Sequence, residues 1–140
     1  MTDTTPAVLI RAPIAIRWRD LDAFNHVNNS NYLTYLEEAR LQWLKHVPEP
    51  WFDEHMMPVL AASHINYRRP IAWPAEIVIE LTCERVGTSS LTVGHRIVDA
   101  NDADCLYSDG NVVLVWMDIA AGKPVPLPDS IRHAIAGIDV

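Results

Sequence analysis

Apolar and polar positions change period along this chain, and each change marks an element. Ile14, Ile16 and Trp18 alternate with Ala15, Arg17 and Arg19, the period of a half-buried strand. Residues 1–12 ahead of it form a flexible arm in this reading. From Ser30 the spacing becomes helical, with Tyr32, Leu33, Leu36, Ala39, Trp43, Leu44 and Val47 on one face. Asn29, Ser30 and Asn31 are all able caps, and Pro48 and Pro50 end the helix. Strand periods follow. Pro58–Arg68 is the first; Ile77, Ile79 and Leu81 define a second and Leu91, Val93, His95 and Ile97 a third. Val112–Met117 is an unbroken apolar run covered on both faces. Gly87–Ser90 and Asp99–Asp104 are short and polar, as hairpin connections are. Asp129 or Ser130 caps a last short helix through Ala136.

A single long helix must bury its stripe against the strands. The expected fold is α+β, with one long central helix wrapped by a curved antiparallel sheet of about five strands. One layer of sheet leaves an edge free, so self-association with a second copy is expected. At 140 residues the chain makes one domain, 13–140, that folds without a staple.

Composition narrows the classes. Eighteen Asp and Glu against eleven Lys and Arg leave a formal charge of −7, which disfavours nucleic acid as a partner because phosphate binding needs clustered positive charge. No apolar run reaches the ~20 residues of a membrane span. Met1–Val8 is polar, without the basic-then-apolar order of an export signal, so the expected location is cytoplasmic. Cys83 and Cys105 are too few and too far apart for a disulfide framework, and the histidines show no metal-ligand spacing. No metal and no cofactor are expected.

The chemistry is concentrated between Arg17 and Tyr32. Two carboxylates (Asp20, Asp22), one imidazole (His26) and four asparagines (Asn25, Asn28, Asn29, Asn31) gather just before the helix N-terminus. Backbone N–H groups there lack intrahelical partners, and the helix dipole favours an oxygen anion. A carboxylate able to align water, beside donors able to hold an oxyanion, is what acyl transfer to water requires.

The pattern D-x-D-x-x-x-H-V-N-N-x-x-Y, followed by Leu36-Glu37-Glu38-Ala39-Arg40, resembles the hotdog-fold acyl-CoA thioesterases of the 4-hydroxybenzoyl-CoA thioesterase type. The resemblance extends to His64-Ile65-Asn66-Tyr67-Arg68-Arg69-Pro70, to Ser89-Ser90-Leu91 and to the closing strand ending at Asp118, over roughly residues 13–135. It implies a hotdog fold, assembly as a dimer or tetramer, and an acyl-CoA substrate in which coenzyme A is part of the substrate and not a cofactor. The family's catalytic carboxylate falls on Asp22, and its backbone oxyanion donors on the junction at Asn28, Asn29 and Ser30. The same stretch is similar to acyl-carrier-protein thioesterases, whose acid and His fall on Asp22 and His26.

The resemblance therefore implies catalytic positions at Asp22, Asn29 and His26, and substrate contacts at Asn28, Ser30, His64, Arg68, Arg69 and Ser90. His26 either orients the loop or touches substrate, and His64 is either an interface residue or a contact from a partner chain. Asp20 reads as structural. Glu37 and Glu38 read as solvated or paired with Arg40 or Arg17, and Phe24, Trp51 and Phe52 as guesses at a pocket lining. Three functions remain open: an acyl-CoA thioesterase, an acyl-carrier-protein thioesterase, and a hotdog protein that binds acyl-CoA without hydrolysing it.

Overall fold

A computed structural model describes residues 7–136 of the chain. Strand β1 (Val8–Ala15) leads through a 3-10 turn at Trp18–Asp20 into helix α1 (Asn29–Lys45). Four strands follow: β2 (Met57–Tyr67), β3 (Glu76–Val86), β4 (Ser90–Asp99) and β5 (Asp102–Asp118). A two-residue strand β6 (Lys123–Pro124) and helix α2 (Asp129–Ala136) close the chain. The fold is α+β, as expected. All strands pair antiparallel in one sheet of order β1-β3-β4-β5-β2, with β6 on the end of β5. Among the described residues no helix is long and apolar enough to cross a membrane.

The first strand corrects the expected boundary. Val8–Ala12, assigned to a flexible arm, belong to β1, and Arg11, Ala12 and Ile14 sit opposite Glu80, Ile79 and Ile77 of β3. Residues 1–6 of that arm lie outside the described residues, as do residues 137–140 of the expected domain. The strand stops at Ala15, and Trp18 is 72% exposed in the turn that follows. Pro13 is tolerated because β1 is an edge strand, where one side of the backbone needs no ladder partner.

Helix α1 starts one residue earlier than the apolar stripe suggested. Asn28, in extended conformation, is its cap: its Oδ1 accepts the Ser30 N–H at 3.0 Å and the Ser30 hydroxyl at 2.9 Å. Tyr32, Tyr35, Leu36, Ala39, Trp43 and Leu44 are buried and join one core with Ile77, Ile79, Leu81, Leu91, Val93, Ile97, Val112, Leu114 and Trp116 from the sheet. Leu33, placed on that face by its spacing, is exposed.

Strand β5 is far longer than its apolar run. Its first ten residues, Asp102–Asn111, carry little strand propensity, yet they pair with β4 on one side and, from Ser108 onward, with β2 on the other. Gly110 lies in this stretch at φ 151°, and a Cβ there would collide with the carbonyl oxygen of His64. Glycine is required by both conformation and space. Behind it, the His95 imidazole is buried and its Nε2 lies 3.3 Å from the Ser108 hydroxyl. Burial, helped by the positive fields of Arg40 and His64 and opposed by Asp109, pushes its pKa down to about 4.

Two outcomes are expected. Gly110→Ala loses about 1–3 kcal/mol or more in urea unfolding, because it adds a backbone clash to a disfavoured φ. Stability also falls as pH drops from about 6.5 to 4. In that window the unfolded His95 is protonated and the folded one is not, so unfolding takes up a proton, at an order-of-magnitude cost of about 3 kcal/mol. Denaturation midpoints measured across this range, with His95→Gln as the reference, check the contribution.

Candidate active site

The segment between the 3-10 turn and α1 is held by Asp20. Its carboxylate, 3% exposed, accepts from the Tyr35 hydroxyl at 2.7 Å, the Arg17 N–H at 3.1 Å and the Arg17 guanidinium at 3.3 Å. Burial alone would raise its pKa, but these three donors, Tyr35 foremost, reverse the shift and hold it below the usual carboxylate value. The Asp20 carbonyl accepts the Asn28 N–H at 2.8 Å and the Asn31 side-chain amide at 2.9 Å. One residue thus ties the turn to the first two turns of α1. Arg17 pairs with Asp20, not with a helix glutamate; Glu38 instead meets Gln42.

Between these anchors Asp22–His26 makes a compact turn. Asp22 Oδ1 accepts the Phe24 N–H at 2.8 Å and the His26 N–H at 3.3 Å, while the Asp22 N–H donates to the His26 carbonyl at 2.8 Å. Asn25 takes φ 62°, a left-handed conformation that asparagine tolerates. His26 bridges Ala72 and the Val27 N–H donates to Ile71 at 2.8 Å, which docks the turn on the segment following β2.

Beside these links lies an open cleft of about 240 Å³, lined by Asp22, His26, Val27, Asn29, Tyr32, Tyr67, Arg68, Arg69 and Pro70. Five of the expected site residues therefore come together: Asp22, His26, Asn29, Arg68 and Arg69. Asn28 and Ser30 adjoin the cavity as cap and first-turn residues and do not line it. The Asn29 N–H is at the first helical position, where no intrahelical acceptor exists.

Other expected residues lie elsewhere. His64 is exposed on edge strand β2 opposite Asn111 and does not line the cavity. Ser90 pairs with Val115, seven residues along β5 from the Ser108 that faces Tyr67, so about 23 Å separates it from this end of the sheet. Within one chain it does not reach the site. Phe24, 79% exposed, does not line the cavity, and Trp51 and Phe52 stack on each other beside Trp116. The aromatic lining comes from Tyr32 and Tyr67, whose rings meet edge-on at 4.9 Å, with the Tyr67 hydroxyl 3.3 Å from the Asn29 carbonyl. Tyr32 had read as core, which it also is. Tyr67 lay inside the His64–Pro70 motif, and that was its only signal.

The two arginines differ in state. Arg68 is pinned to Asp109 Oδ1 by Nε at 3.1 Å and Nη2 at 3.0 Å, and Asn66 donates to the same oxygen at 3.0 Å. Arg69 donates from Nη1 to the Cys105 sulfur at 3.2 Å. Arg96, another cation in the sheet, is held by Glu80.

The sequence model of the Thioesterase-like superfamily matches residues 16–135. The chain belongs to this superfamily. Its solved relatives include a Xanthomonas campestris protein proposed to be an acyl-CoA thioesterase, 52% identical, with a TM-score of 0.74 over 79% of this chain and 94% of the other. A Pseudomonas aeruginosa protein proposed to be a thioesterase is 41% identical, with a TM-score of 0.85 over 91% and 98%. A Thermus thermophilus thioesterase complexed with coenzyme A and zinc is 32% identical, with a TM-score of 0.79 over 95% and 96%. The cavity that Asp22 lines also takes in Asn29, at the first helical position of α1.

Removal of the Asp20 anchor is expected to be structural first. Asp20→Ala leaves the buried Tyr35 hydroxyl without its acceptor and should cost about 2–3 kcal/mol, against about 1 kcal/mol for loss of the cap in Asn28→Ala. Chemical denaturation of both variants gives the order.

Proposed function

We propose that the protein is an acyl-CoA thioesterase that hydrolyses a thioester to a free acid and coenzyme A, with no further cofactor. The observation that carries this is that Asp22, Asn29 at the start of α1, Arg68 and Arg69 line one cavity. The coenzyme A complex of the Thermus relative and the activity proposed for the Xanthomonas one support the choice of substrate.

In the proposed mechanism the thioester carbonyl points at the start of α1. The Asn29 N–H and the helix dipole polarise it and hold the developing oxyanion. Asp22 takes the proton of an attacking water as general base, or attacks the carbonyl carbon to give an anhydride that water then opens. Both turn hydrogen bonds end on Oδ1, so they orient the carboxylate and leave Oδ2 for the reaction. The carbon–sulfur bond breaks to release a thiolate, whose pKa near 8.5 makes a strong acid unnecessary. His26 and Tyr67 border the reacting group. The long helix lies at the centre of the sheet's curve in this reading, as in a hotdog fold.

Self-association belongs to the same proposal. Strand β2 is an edge, and Leu60, Ala61, Ala62, Ser63 and His64 are exposed in succession along it. A second copy pairing there as a dimer or tetramer would satisfy its free backbone groups and bring His64 to an interface.

Asp22→Asn tests the reading. The turn survives, because the Asn oxygen still accepts the Phe24 and His26 N–H groups. Turnover of a panel of acyl-CoAs, followed by release of free thiol, is expected to fall by about 10²–10⁴-fold. An Asp22→Asn protein that keeps wild-type turnover overturns the role of the carboxylate. A wild type that binds acyl-CoA without releasing thiol makes the protein a binding module.

A further inference from the structure

Two carboxylates stand within the surroundings of one guanidinium, and only one of them has it. Asp22 and Arg68 line the same cleft, yet the charge of Arg68 goes to Asp109. Its Nε and Nη2 both close on Asp109 Oδ1, at 3.1 Å and 3.0 Å, and the Asn66 side-chain amide donates to the same oxygen at 3.0 Å. The Arg68 N–H, donating to the Tyr107 carbonyl at 2.9 Å, fixes the backbone beneath. Asp109 itself does not line the cleft.

The sheet leaves Asp109 to this one partner. On β5 it sits opposite Asn66 of β2 on one side and Arg96 of β4 on the other. Arg96 is committed to Glu80, at 2.9 Å, so the Asp109 charge falls to Arg68. Burial works against the ionised Asp109 carboxyl. The Asn66 and Arg68 donors, with the positive fields of Arg68 and His95, outweigh burial and hold it below the usual carboxylate value. Asp109 therefore stays an anion through the neutral range and keeps its hold on Arg68 there.

The alternative partner would be costly for chemistry. An ion pair between Arg68 and Asp22 favours the ionised carboxylate and so lowers its basicity, and basicity is what a general base or nucleophile uses. The titratable and charged groups that face Asp22 in the cleft are His26 on its own turn, Tyr32 of α1, Tyr67 at the end of β2, and Arg68 and Arg69 beyond it. Arg69 is turned to the Cys105 sulfur. Arg68 is the cation whose direction a carboxylate decides.

We propose that Asp109 is a positioning residue for the Asp22 site: by holding the Arg68 guanidinium at β5 it keeps that charge off Asp22 and leaves the Asp22 carboxylate available to the thioester. The inference rests on the thioesterase reading above and deepens it, since Asp109 acts through Arg68 and touches no substrate.

Carboxyl carbon-13 NMR of the full chain follows the Asp22 titration without any turnover. Asp109→Asn keeps the side-chain shape and an oxygen for Asn66 but loses the charge. The Asp22 midpoint is expected to move down by about one pH unit, the effect of an arginine beside an aspartate. Turnover of an acyl-CoA should fall by about threefold or more with the lost basicity. Asp109→Glu, which keeps the anion, should leave the midpoint close to that of the wild type. Asp109→Asn combined with Arg68→Gln releases no guanidinium and should return the midpoint to the wild-type value. Asp109→Ser, also neutral, gives the same comparison if the amide variant folds poorly. A midpoint that stays in place in the neutral variants, or moves and is not restored by Arg68→Gln, overturns the proposal.

The two claims fail separately. If the midpoint moves and is restored as expected but the wild type releases no thiol from any acyl-CoA, the thioesterase reading falls and the hold of Asp109 on Arg68 stands. If thiol is released and the midpoint does not move, the role of Asp109 falls alone.

Discussion

The carboxylate and carbonyl of Asp20 are the point on which the rest of the site depends. Five hydrogen bonds end on this one buried residue: two from Arg17, one from Tyr35, one from the Asn28 backbone and one from the Asn31 amide. A buried carboxylate without donors would be costly. Here the donors come from the turn before it and the helix after it, so satisfying the charge also fixes the angle at which the chain enters α1. The Asp22 turn hangs between these anchors, and its position relative to the helix end follows from them.

The same economy governs the positive charges. In a chain with a formal charge of −7, most of the arginines near the site are spent on neighbours. Arg11 and Arg96 close on Glu80 across three strands, Arg17 on Asp20 and Arg68 on Asp109. These pairs tie strands and turns to one another. Arg69, whose side chain meets the Cys105 sulfur, lines two cavities at once.

Much of the architecture was legible because it rests on local periodicity. Ile77, Ile79 and Leu81, like Leu91, Val93 and Ile97, alternate in sequence and all are buried on one side of the sheet. The helix showed itself through Tyr32, Leu36, Ala39, Trp43 and Leu44 in the same way. Two boundaries failed for different reasons. Val8-Leu9-Ile10 favours a strand by itself and pairs with β3, whereas Asp102–Asn111 becomes strand because ladder hydrogen bonds to its neighbours outweigh weak intrinsic preference. Asn28 was passed over as the cap because Asn29, Ser30 and Asn31 have the same capping chemistry. Only the extended backbone of Asn28 chooses among them.

The sequence by itself determined that one helix begins beside a cluster of acids, an imidazole and asparagines, since capping chemistry and apolar spacing are written in neighbouring residues. It also determined the family, through a motif dense enough to be specific. Tertiary structure decided which of those groups share a cavity. Arg68 and Arg69 share a cavity with Asp22 because β2 ends at Tyr67 and the following segment folds back on the turn through Ile71 and Ala72. Ser90 is left at the far end of the sheet by the register of β4 on β5. Convergence of residues more than forty positions apart depends on strand order and register, which are properties of pairing between segments and not of any one segment.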